Sequence, residues 1–397
     1  MTTRHVVSRS GKRPVLYRVS RRKRFIERLI QVLDFLVPTD GTVVVASFPD
    51  LDDSVVSLLR STHRPGNILV LASDPKKARR RAIALGLEVR LVRKGRARGI
   101  WSYVRSQVSL STHGLFGSLR RGPGKTSVTV WHGELGKTVA RAANELSHYF
   151  DRVYASNSLS KAWRSAELGV HPDSVIVTGL PRNDWFRALP AAQTSRARRI
   201  VWAPTYREAA SGLPRTEGGA DLLVDLVSKS LPLITPELEQ HDAELWLRFH
   251  PAAAESLELT DSRVHMATDA ALEEAGITFY EFLAASECLI TDYSSLWVDY
   301  LLTDKPVIGA MPDADQYLAD RAMSLEPYED WFPGPIVATA DDLSAEVRGV
   351  LTGADPMATH RRFLRSVFHP SSGEDASRAV WADVNELSDQ RASSSRT

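Results

Sequence analysis

Leu289-Ile290-Thr291-Asp292-Tyr293-Ser294-Ser295 is a short apolar run that ends in polar and hydroxyl-bearing residues. The run predicts a buried strand, and the residues from 294 to 302 predict a helix. A strand that passes through a short turn into a helix is the unit of a doubly wound parallel sheet. The free N–H groups of such a helix start can bind phosphate, so Asp292, Ser294 and Ser295 are candidates for a phosphate site. A serine that only caps the helix is the alternative.

Strands and helices alternate on both sides of this stretch. Strands are predicted at 42–46, 67–71, 88–92, 127–131, 152–155, 174–178, 199–203, 244–249, 288–291, 306–308 and 336–338, and helices at 76–84, 219–230 and 294–302. The pattern predicts an α/β fold of two doubly wound, Rossmann-like domains that face a central cleft, which is the GT-B architecture. The predicted segments are a basic stretch with an amphipathic helix (1–40), an N-terminal domain (41–188), a C-terminal domain (199–352), C-terminal helices (353–390) and a tail (391–397).

The composition indicates a globular chain in a reducing compartment. Its 397 residues suit two domains, and 43% hydrophobic with 25% charged residues are ordinary globular values. The single cysteine, Cys288, has no partner for a disulfide. No apolar run reaches the roughly 18 residues that span a bilayer, and the N-terminus lacks the pattern of a secretory signal. We therefore expect a cytoplasmic protein.

Charge is distributed unevenly along the chain. The net charge is +2, but residues 1–130 contain 26 basic and 8 acidic residues, whereas the rest contains 24 and 40. The basic half predicts an anionic partner, and nucleic acid is disfavoured because interleaved aromatic residues are missing. Residues 21–37 predict an amphipathic helix, which either packs on its own domain or lies in the plane of an anionic membrane. Its candidate membrane-binding residues are Arg21, Arg22, Lys23, Arg24, Phe25 and Leu29.

Polar residues also follow other predicted strands. The segments concerned are Trp131-His132-Gly133, Ala203-Pro204-Thr205-Tyr206-Arg207 and Arg248-Phe249-His250-Pro251. Ligands of doubly wound sheets bind beyond the carboxyl ends of the strands, so one shared site is expected. An unperturbed histidine pKa near 6.5 suits His132 as a general base, while Arg248 and His250 can neutralise a leaving phosphate. Structural hydrogen bonding at the end of a strand is the alternative for His250.

The motifs that are missing disfavour several other kinds of site. The chain has no P-loop, no Gly-x-Gly-x-x-Gly and no Gly-x-Ser-x-Gly, which weakens the case for an NTPase, a dinucleotide enzyme or a serine hydrolase. Histidines and carboxylates lack the spacing of metal ligands, so no metal is predicted.

The order and spacing of these motifs resemble the CDP-glycerol glycerophosphotransferase family, which includes teichoic-acid primases and polymerases and related capsule polymerases. The resemblance runs from about Thr42 to Val380. The motifs that carry it are Trp131-His132-Gly133 with Lys137, residues 178–184 (Thr-Gly-Leu-Pro-Arg-Asn-Asp), 202–207 (Trp-Ala-Pro-Thr-Tyr-Arg), His250-Pro251, 289–295 with Asp299-Tyr300 and Asp304-Lys305-Pro306, and Pro333-Gly334-Pro335.

This resemblance implies transfer of glycerol phosphate, or a similar polyol phosphate, from CDP-glycerol or CDP-ribitol to a hydroxyl of a lipid-linked cell-wall or capsule glycopolymer, with release of CMP. It implies that the N-terminal domain binds the acceptor, that the C-terminal domain binds the donor, and that the protein lies on the inner face of the cell membrane. His132 would be the base, His250 would neutralise the diphosphate, and no cofactor or metal would be needed. The remaining substrate-binding candidates are Gly133, Lys137, Arg182, Thr205, Arg207, Arg248, Asp292, Ser294, Ser295 and Asp299.

Two departures from the family pattern concern the substrates. Glu134-Leu135-Gly136-Lys137 replaces the usual Thr- or Met-Pro-Leu-Lys, and 278–283 replaces an acidic, Asn-containing segment. They leave the polyol and the acceptor open. A GT-B glycosyltransferase with a nucleotide-sugar donor and a non-catalytic adaptor for anionic surfaces remain as alternatives.

Overall fold

Two parallel β-sheets form the framework of the molecule. The computed structural model describes residues 21–134, 149–187, 198–205, 219–249, 257, 259, 261–320, 323–370 and 375–394. The strands of the N-terminal sheet are β1 (Val43–Ala46), β2 (Ile68–Ala72), β3 (Arg90–Arg93), β4 (Val108–Ser111), β5 (Thr126–Thr129), β6 (Arg152–Ala155) and β7 (Val175–Val177). Their spatial order is β3-β2-β1-β4-β5-β6-β7, and every pair is parallel.

The C-terminal sheet repeats this arrangement. Its strands are β8 (Arg198–Trp202), β9 (Ala243–Leu247), β10 (Val264–Met266), β11 (Cys288–Thr291), β12 (Val307–Ala310) and β13 (Ile336–Val337), in the order β10-β9-β8-β11-β12-β13. The strand order of each sheet reverses once near its centre, which is the topology of a doubly wound fold. The prediction of two such α/β domains is confirmed.

Helices cover both faces of the sheets. Those of the N-terminal half are α1 (Arg21–Leu36), α2 (Asp53–Arg60), α3 (Pro75–Ala84), α4 (Ala97–Arg105), α5 (Ser158–Leu168) and α6 (Asp184–Arg187). They are followed by α7 (Gly219–Gln240), α8 (Asp269–Glu274), α9 (Phe279–Ala284), α10 (Leu296–Tyr300), α11 (Ala314–Asp320), α12 (Ala340–Leu351), α13 (Ala358–Phe368) and α14 (Ala376–Ser394). Side chains set several helix starts: Asp52 accepts the N–H of Val55 before α2, and Thr278 with Glu281 forms a capping box before α9.

The last helix returns to the N-terminal domain. Val380, Trp381 and Val384 of α14 are buried in the core beside β1 and β4. The Trp381 indole N–H donates to the carbonyl oxygen of Leu58 in α2 at 2.9 Å. Asp184 receives the N–H of Ser377 at 2.9 Å and so holds the start of the helix. The chain thus closes on its first domain.

Several element boundaries differ from the sequence-based predictions. β4 was not predicted, because Ser109 and Ser111 interrupt its apolar pattern; both are buried in the sheet, and the Ser109 hydroxyl donates to the Thr126 carbonyl oxygen. The short strand β10 was not predicted either. α7 continues past 230 through Pro232 and Pro236 because its face with Ile234 and Leu238 is buried. α14 extends to 394, whereas the sequence predicts that the C-terminal helices end at 390.

Candidate functional site

The candidate site lies where the strand order of each sheet reverses. These points fall between β1 and β4 in one sheet and between β8 and β11 in the other. Doubly wound sheets bind ligands in the crevice beyond the strand ends at such points. Phe48 and His113 follow β1 and β4, whereas Thr205 and Asp292 follow β8 and β11. His132 follows β5, the next strand outward.

A left-handed turn at Trp131 precedes His132. Its φ is +49°, a conformation that a bulky residue rarely adopts and that costs on the order of 1–3 kcal/mol. The Trp131 N–H donates to Thr129 Oγ1 at 3.0 Å. Its buried indole lies 5.5 Å from the Arg164 guanidinium, measured to the ring centroid. Contacts on the backbone and on the side chain therefore hold the turn in place.

His132 is oriented by a backbone carbonyl. Its Nδ1 lies 3.3 Å from the carbonyl oxygen of Thr112. A carbonyl only accepts, so we assign the proton to Nδ1, which leaves a lone pair on Nε2. His132 is exposed to solvent, although protein groups surround its ring. Enclosure of the ring by protein, followed by the nearby His113 and Arg164, lowers the pKa of His132 well below 6.5. The neutral imidazole, which is the form a general base requires, therefore predominates near pH 7.

Two residues near Thr112, the residue that orients His132, are not evident from the sequence. The imidazole of His113 stacks on that of His132, with 3.8 Å between ring centroids and 11° between planes. Burial, opposed by the hydrogen bond from Val55, raises the pKa of Asp52 to about 7. The sequence feature that could have identified His113 is its position directly after β4. This strand was not predicted because serines interrupt its apolar pattern. Asp52 has the pattern of a plain helix cap.

Gly133 brings the two domains into contact. A Cβ atom at this position would lie 3.3 Å from Ser295 Oγ, so a larger residue would press against the C-terminal domain. Ser294 Oγ accepts the N–H of Leu296, the first residue of α10, at 3.3 Å. The helix starts two residues later than predicted. The N-cap residue is Ser295, and its side chain makes no capping hydrogen bond, so phosphate binding by Ser294 and Ser295 stays a prediction.

Asp292 and Thr205 are brought together by neighbouring strands. The buried Asp292 accepts the Thr205 N–H through Oδ1 at 2.6 Å. The Tyr328 hydroxyl donates to the carbonyl oxygen of Asp292 at 3.2 Å. These contacts fix the loops after β8 and β11, which line the C-terminal side of the crevice.

Arg248 lies in the wall of a cavity between the domains. The cavity has a volume of about 210 Å³ and is also lined by Phe48 and Phe279. Phe48 contacts His113, with 5.8 Å between ring centroids, so one residue of the cavity wall is in contact with His113. Arg248 donates to a backbone carbonyl and to Asp269 Oδ1 at 2.5 Å. Its charge is therefore shared with Asp269, and contact with a phosphate stays a prediction.

Arg182 and Asp299 form a buried ion pair between the domains. Arg182 Nε lies 2.8 Å from Asp299 Oδ2, and the Tyr280 hydroxyl donates to the same oxygen at 2.7 Å. The two charged side chains are 6% and 1% exposed. Burial opposes the charge of Arg182, but Asp299 outweighs it and the pKa of Arg182 is raised. The contacts support a role in holding the domains together, and donor binding by either residue stays a prediction.

Some candidates fall outside the described part of the chain: Lys137, Arg207, His250 and the side chains of Arg21, Arg22, Lys23 and Arg24. Phe25 and Leu29 are described, and they lie on an exposed face of α1. Among the described residues, no group of three or more His, Cys, Asp or Glu side chains is arranged to hold a metal ion. That observation does not test the prediction that the reaction needs no metal ion.

Two doubly wound domains with their crevices turned toward each other define the GT-B class of fold. A sequence profile of the CDP-glycerol:poly(glycerophosphate) glycerophosphotransferase family matches residues 39–386. The chain belongs to this family, so the predicted family membership is confirmed.

Individual relatives agree with this assignment. The teichoic acid ribitol-phosphate polymerase TarK of Staphylococcus aureus is 24% identical over 254 residues, 58% of this chain and 47% of TarK. The teichoic acid ribitol-phosphate primase of Bacillus spizizenii is 29% identical over 185 residues, 41% of each chain. The solved structure of the wall teichoic acid polymerase TagF covers 94% of this chain with a TM-score of 0.71 and 19% identity, and 95% of the TagF chain is covered in return. The GT-B prediction is thereby confirmed, and the chain spans about half the length or less of these two curated relatives.

Proposed function

We propose that this protein transfers a polyol phosphate from a CDP-activated polyol to a hydroxyl of a lipid-linked cell-wall or capsule glycopolymer. The proposal rests on one observation above all: a neutral imidazole with an available Nε2 lies in the crevice between two nucleotide-binding folds. The family description names glycerophosphate, whereas the two relatives act on ribitol phosphate. Glycerol and ribitol therefore both remain candidates for the transferred group.

In the proposed reaction, His132 Nε2 removes the proton of the acceptor hydroxyl. The acceptor oxygen then forms a bond to the phosphorus that carries the polyol. The bond from this phosphorus to the oxygen that bridges the two phosphates breaks, and CMP leaves with the electron pair. General-base help of this kind contributes about 10²–10⁴-fold, and the rest must come from positioning and charge stabilisation.

The chain offers cations for the departing phosphate. Arg248 borders the interdomain cavity with its charge partly shared, and the helix start at Ser295 faces Gly133. We also assign His250 and Arg207 to stabilisation of the departing phosphate, on the basis of their positions in the sequence. We include no cofactor or metal, and addition of EDTA to the turnover assay is expected to leave the rate unchanged. A loss of activity that Mg²⁺ restores would contradict this part of the proposal.

The decisive experiment measures CMP release from CDP-glycerol, CDP-ribitol and a nucleotide sugar in parallel, with a lipid-linked acceptor. We expect release from one CDP-polyol, and a decrease of at least about 10²-fold for His132→Ala. The matched control is His171→Ala, because His171 lies in a surface loop with its side chain 74% exposed. Turnover of the nucleotide sugar alone would favour a glycosyltransferase, and full activity of folded His132→Ala would exclude His132 as the base.

We further propose that α1 places the protein on an anionic membrane at the inner face of the cell membrane. Among the described residues, no helix has the length and apolar character needed to cross a bilayer. The exposed apolar side chains at helical spacing on α1 are Phe25 (68%), Leu29 (50%), Val32 (54%) and Leu36 (74%). The opposite face is fixed to the domain, since buried Asp34 accepts hydrogen bonds from Arg121 and from the N–H of Gly122. An anchored helix with an open apolar stripe suits a membrane interface.

Vesicle binding tests this part of the proposal. Burial of Phe25 and Leu29 in the interface is expected to contribute about 1 kcal/mol each, so Phe25→Glu with Leu29→Glu should weaken binding by about 30-fold or more. Phe363→Glu is the matched control because Phe363 is 59% exposed on α13. Vesicles with and without phosphatidylglycerol measure the dependence on anionic lipid. Unchanged binding of the double variant would contradict a membrane role for α1.

A further inference from the structure

A single threonine holds two imidazoles in the crevice. The Thr112 carbonyl oxygen lies 3.3 Å from His132 Nδ1, and Thr112 Oγ1 lies 2.9 Å from His113 Nδ1. The two rings are stacked almost in parallel, 3.8 Å apart. The rings of Phe48 and His113 are also in contact, in a T-shaped arrangement with 81° between planes. His113 therefore contacts the rings of both Phe48 and His132, and its ring covers one face of the proposed base.

The position of His113 follows from the sheet. Ser111 of β4 pairs with Thr129 of β5, and continued pairing would set His113 opposite Trp131. The left-handed turn at Trp131 adds one residue to this side, so that His132 takes the place beside His113. Strand register and one backbone turn together create the stack.

Charged groups around the stack disfavour protonation of either ring. Lys94 faces His113, and Arg164 and Arg182 face His132. Enclosure by protein, followed by Lys94, lowers the pKa of His113 to about 4. The nearby carboxyl of Asp52 has a pKa raised to about 7, so near neutral pH it supplies only part of a negative charge. Two imidazolium rings at stacking distance would also repel each other.

We propose that His113 is a positioning residue for His132, whose flat ring, stacked on the imidazole and held by Thr112, fixes the plane of the base. The inference rests on the proposed polyol-phosphate transfer and deepens it. A base that is already neutral in the free enzyme accepts the proton of the acceptor without first losing one. A base confined to one plane presents Nε2 in a constant direction, which is the condition for efficient proton transfer.

Two substitutions separate the contributions of His113. His113→Phe retains a flat ring that can stack on His132 and removes the titrating nitrogens. His113→Leu removes the stack. For both variants, CMP release is measured as a function of pH with the active CDP-polyol, and the tautomer and pKa of His132 are measured by long-range ¹H–¹⁵N NMR. Thermal melting confirms that each variant is folded, which is expected because part of His113 is exposed.

We expect His113→Leu to lower kcat by about 10-fold or more with little change in KM for the donor. In the pH profile of CMP release, the fall in rate on the acid side should move to higher pH, toward 6.5. The reason is that this variant lacks the neighbour that disfavours protonation of His132. His113→Phe should stay within about threefold of the unsubstituted protein. A normal kcat with an unshifted pH profile in His113→Leu would overturn the inference. Equal losses of kcat in His113→Leu and His113→Phe would also overturn it, because they would assign a proton-transfer role to His113.

Failure of the proposed function gives a different result. If the unsubstituted protein releases no CMP from either CDP-polyol, the reaction is wrong, and the NMR measurement still tests the stack. In that case a His132 pKa that rises in His113→Leu but not in His113→Phe supports the positioning role. A pKa that is the same in all three proteins refutes it.

Discussion

The buried ion pair between Arg182 and Asp299 gives the sharpest test of how the two domains are held together. Asp299→Asn retains the size of the side chain and an acceptor for the Tyr280 hydroxyl. It leaves the guanidinium of Arg182, whose side chain is 6% exposed, without its counter-charge. An uncompensated buried charge costs about 3–5 kcal/mol. We therefore expect Asp299→Asn to lower the free energy of unfolding by that amount.

A double-mutant cycle measures the pair itself. Arg182→Met is expected to destabilise the protein to a similar degree, because the buried Asp299 carboxylate then keeps its hydrogen bond from the Tyr280 hydroxyl but loses the guanidinium that neutralises it. Arg182→Met combined with Asp299→Asn should cost much less than the sum of the single changes, because no buried charge then lacks a partner. Asp225→Asn is the matched control, since the exposed pair of Asp225 and Lys229 contributes only about 0.3–0.5 kcal/mol.

Urea unfolding followed by tryptophan fluorescence supplies the free energies, and CMP release supplies the kinetics in parallel. If the pair holds the domains together, each single variant loses stability and the double variant partly recovers it. A normal urea midpoint together with a large rise in KM for the donor would refute it. That outcome would instead assign Arg182 or Asp299 to direct donor binding, as the family resemblance implies.

Three further predictions concern close contacts at two glycines and the pH dependence of stability. Gly133→Val should lower kcat/KM more than Gly133→Ala, because a Cβ atom already reaches 3.3 Å from Ser295 Oγ; equal kinetics of the two variants would contradict this contact. Gly122→Ala should reduce the free energy of unfolding by about 1–3 kcal/mol, since its Cβ would lie 2.3 Å from the Asp34 carbonyl oxygen, whereas Gly66→Ala, with open space around it, should have little effect in urea unfolding. Burial lowers the pKa of His369 below 6.5, so the unfolded chain binds its proton first and stability falls as pH drops below that value. His369→Gln should flatten this part of the pH dependence of the urea midpoint, and an unaltered slope would contradict it.

Much of the fold is visible in the sequence because its signals are local. Apolar runs of about five residues identify most strands, and β6 and β11 begin and end where the sequence predicts. The sequence does not predict β4, because Ser109 and Ser111 are buried in the sheet and the Ser109 hydroxyl finds its partner, the Thr126 carbonyl oxygen, on the neighbouring strand segment. α7 passes through two prolines because long-range burial of its apolar face outweighs the local signal to stop.

The candidate site is visible in part for the same reason. His132, Asp292 and Ser295 stand at strand ends, and that position is enough to predict a shared crevice. The hydrogen-bond and ion-pair partners of the site residues cannot be predicted in this way, because they are distant in the sequence. Arg182 meets Asp299 across 117 positions of the chain, and the Asp292 carboxylate meets Thr205 across 87. Residue types alone predict charges available for a ligand, whereas the folded chain uses Arg182 and Asp299 to pair with each other.

The turn at Trp131 shows why the last step needs coordinates. Side chains along a strand alternate between its two faces, so a straight continuation of β5 would place His132 on the opposite side from Trp131 and away from His113. A φ of +49° at Trp131 reverses this outcome by one residue. Nothing in the letters Trp-His-Gly specifies that conformation, because it is stabilised by Thr129 Oγ1 and by the buried indole packed near Arg164. The orientation of the proposed base therefore depends on tertiary packing. Substitution of Arg164, which contacts Trp131, should lower turnover in the same way as substitution of His132.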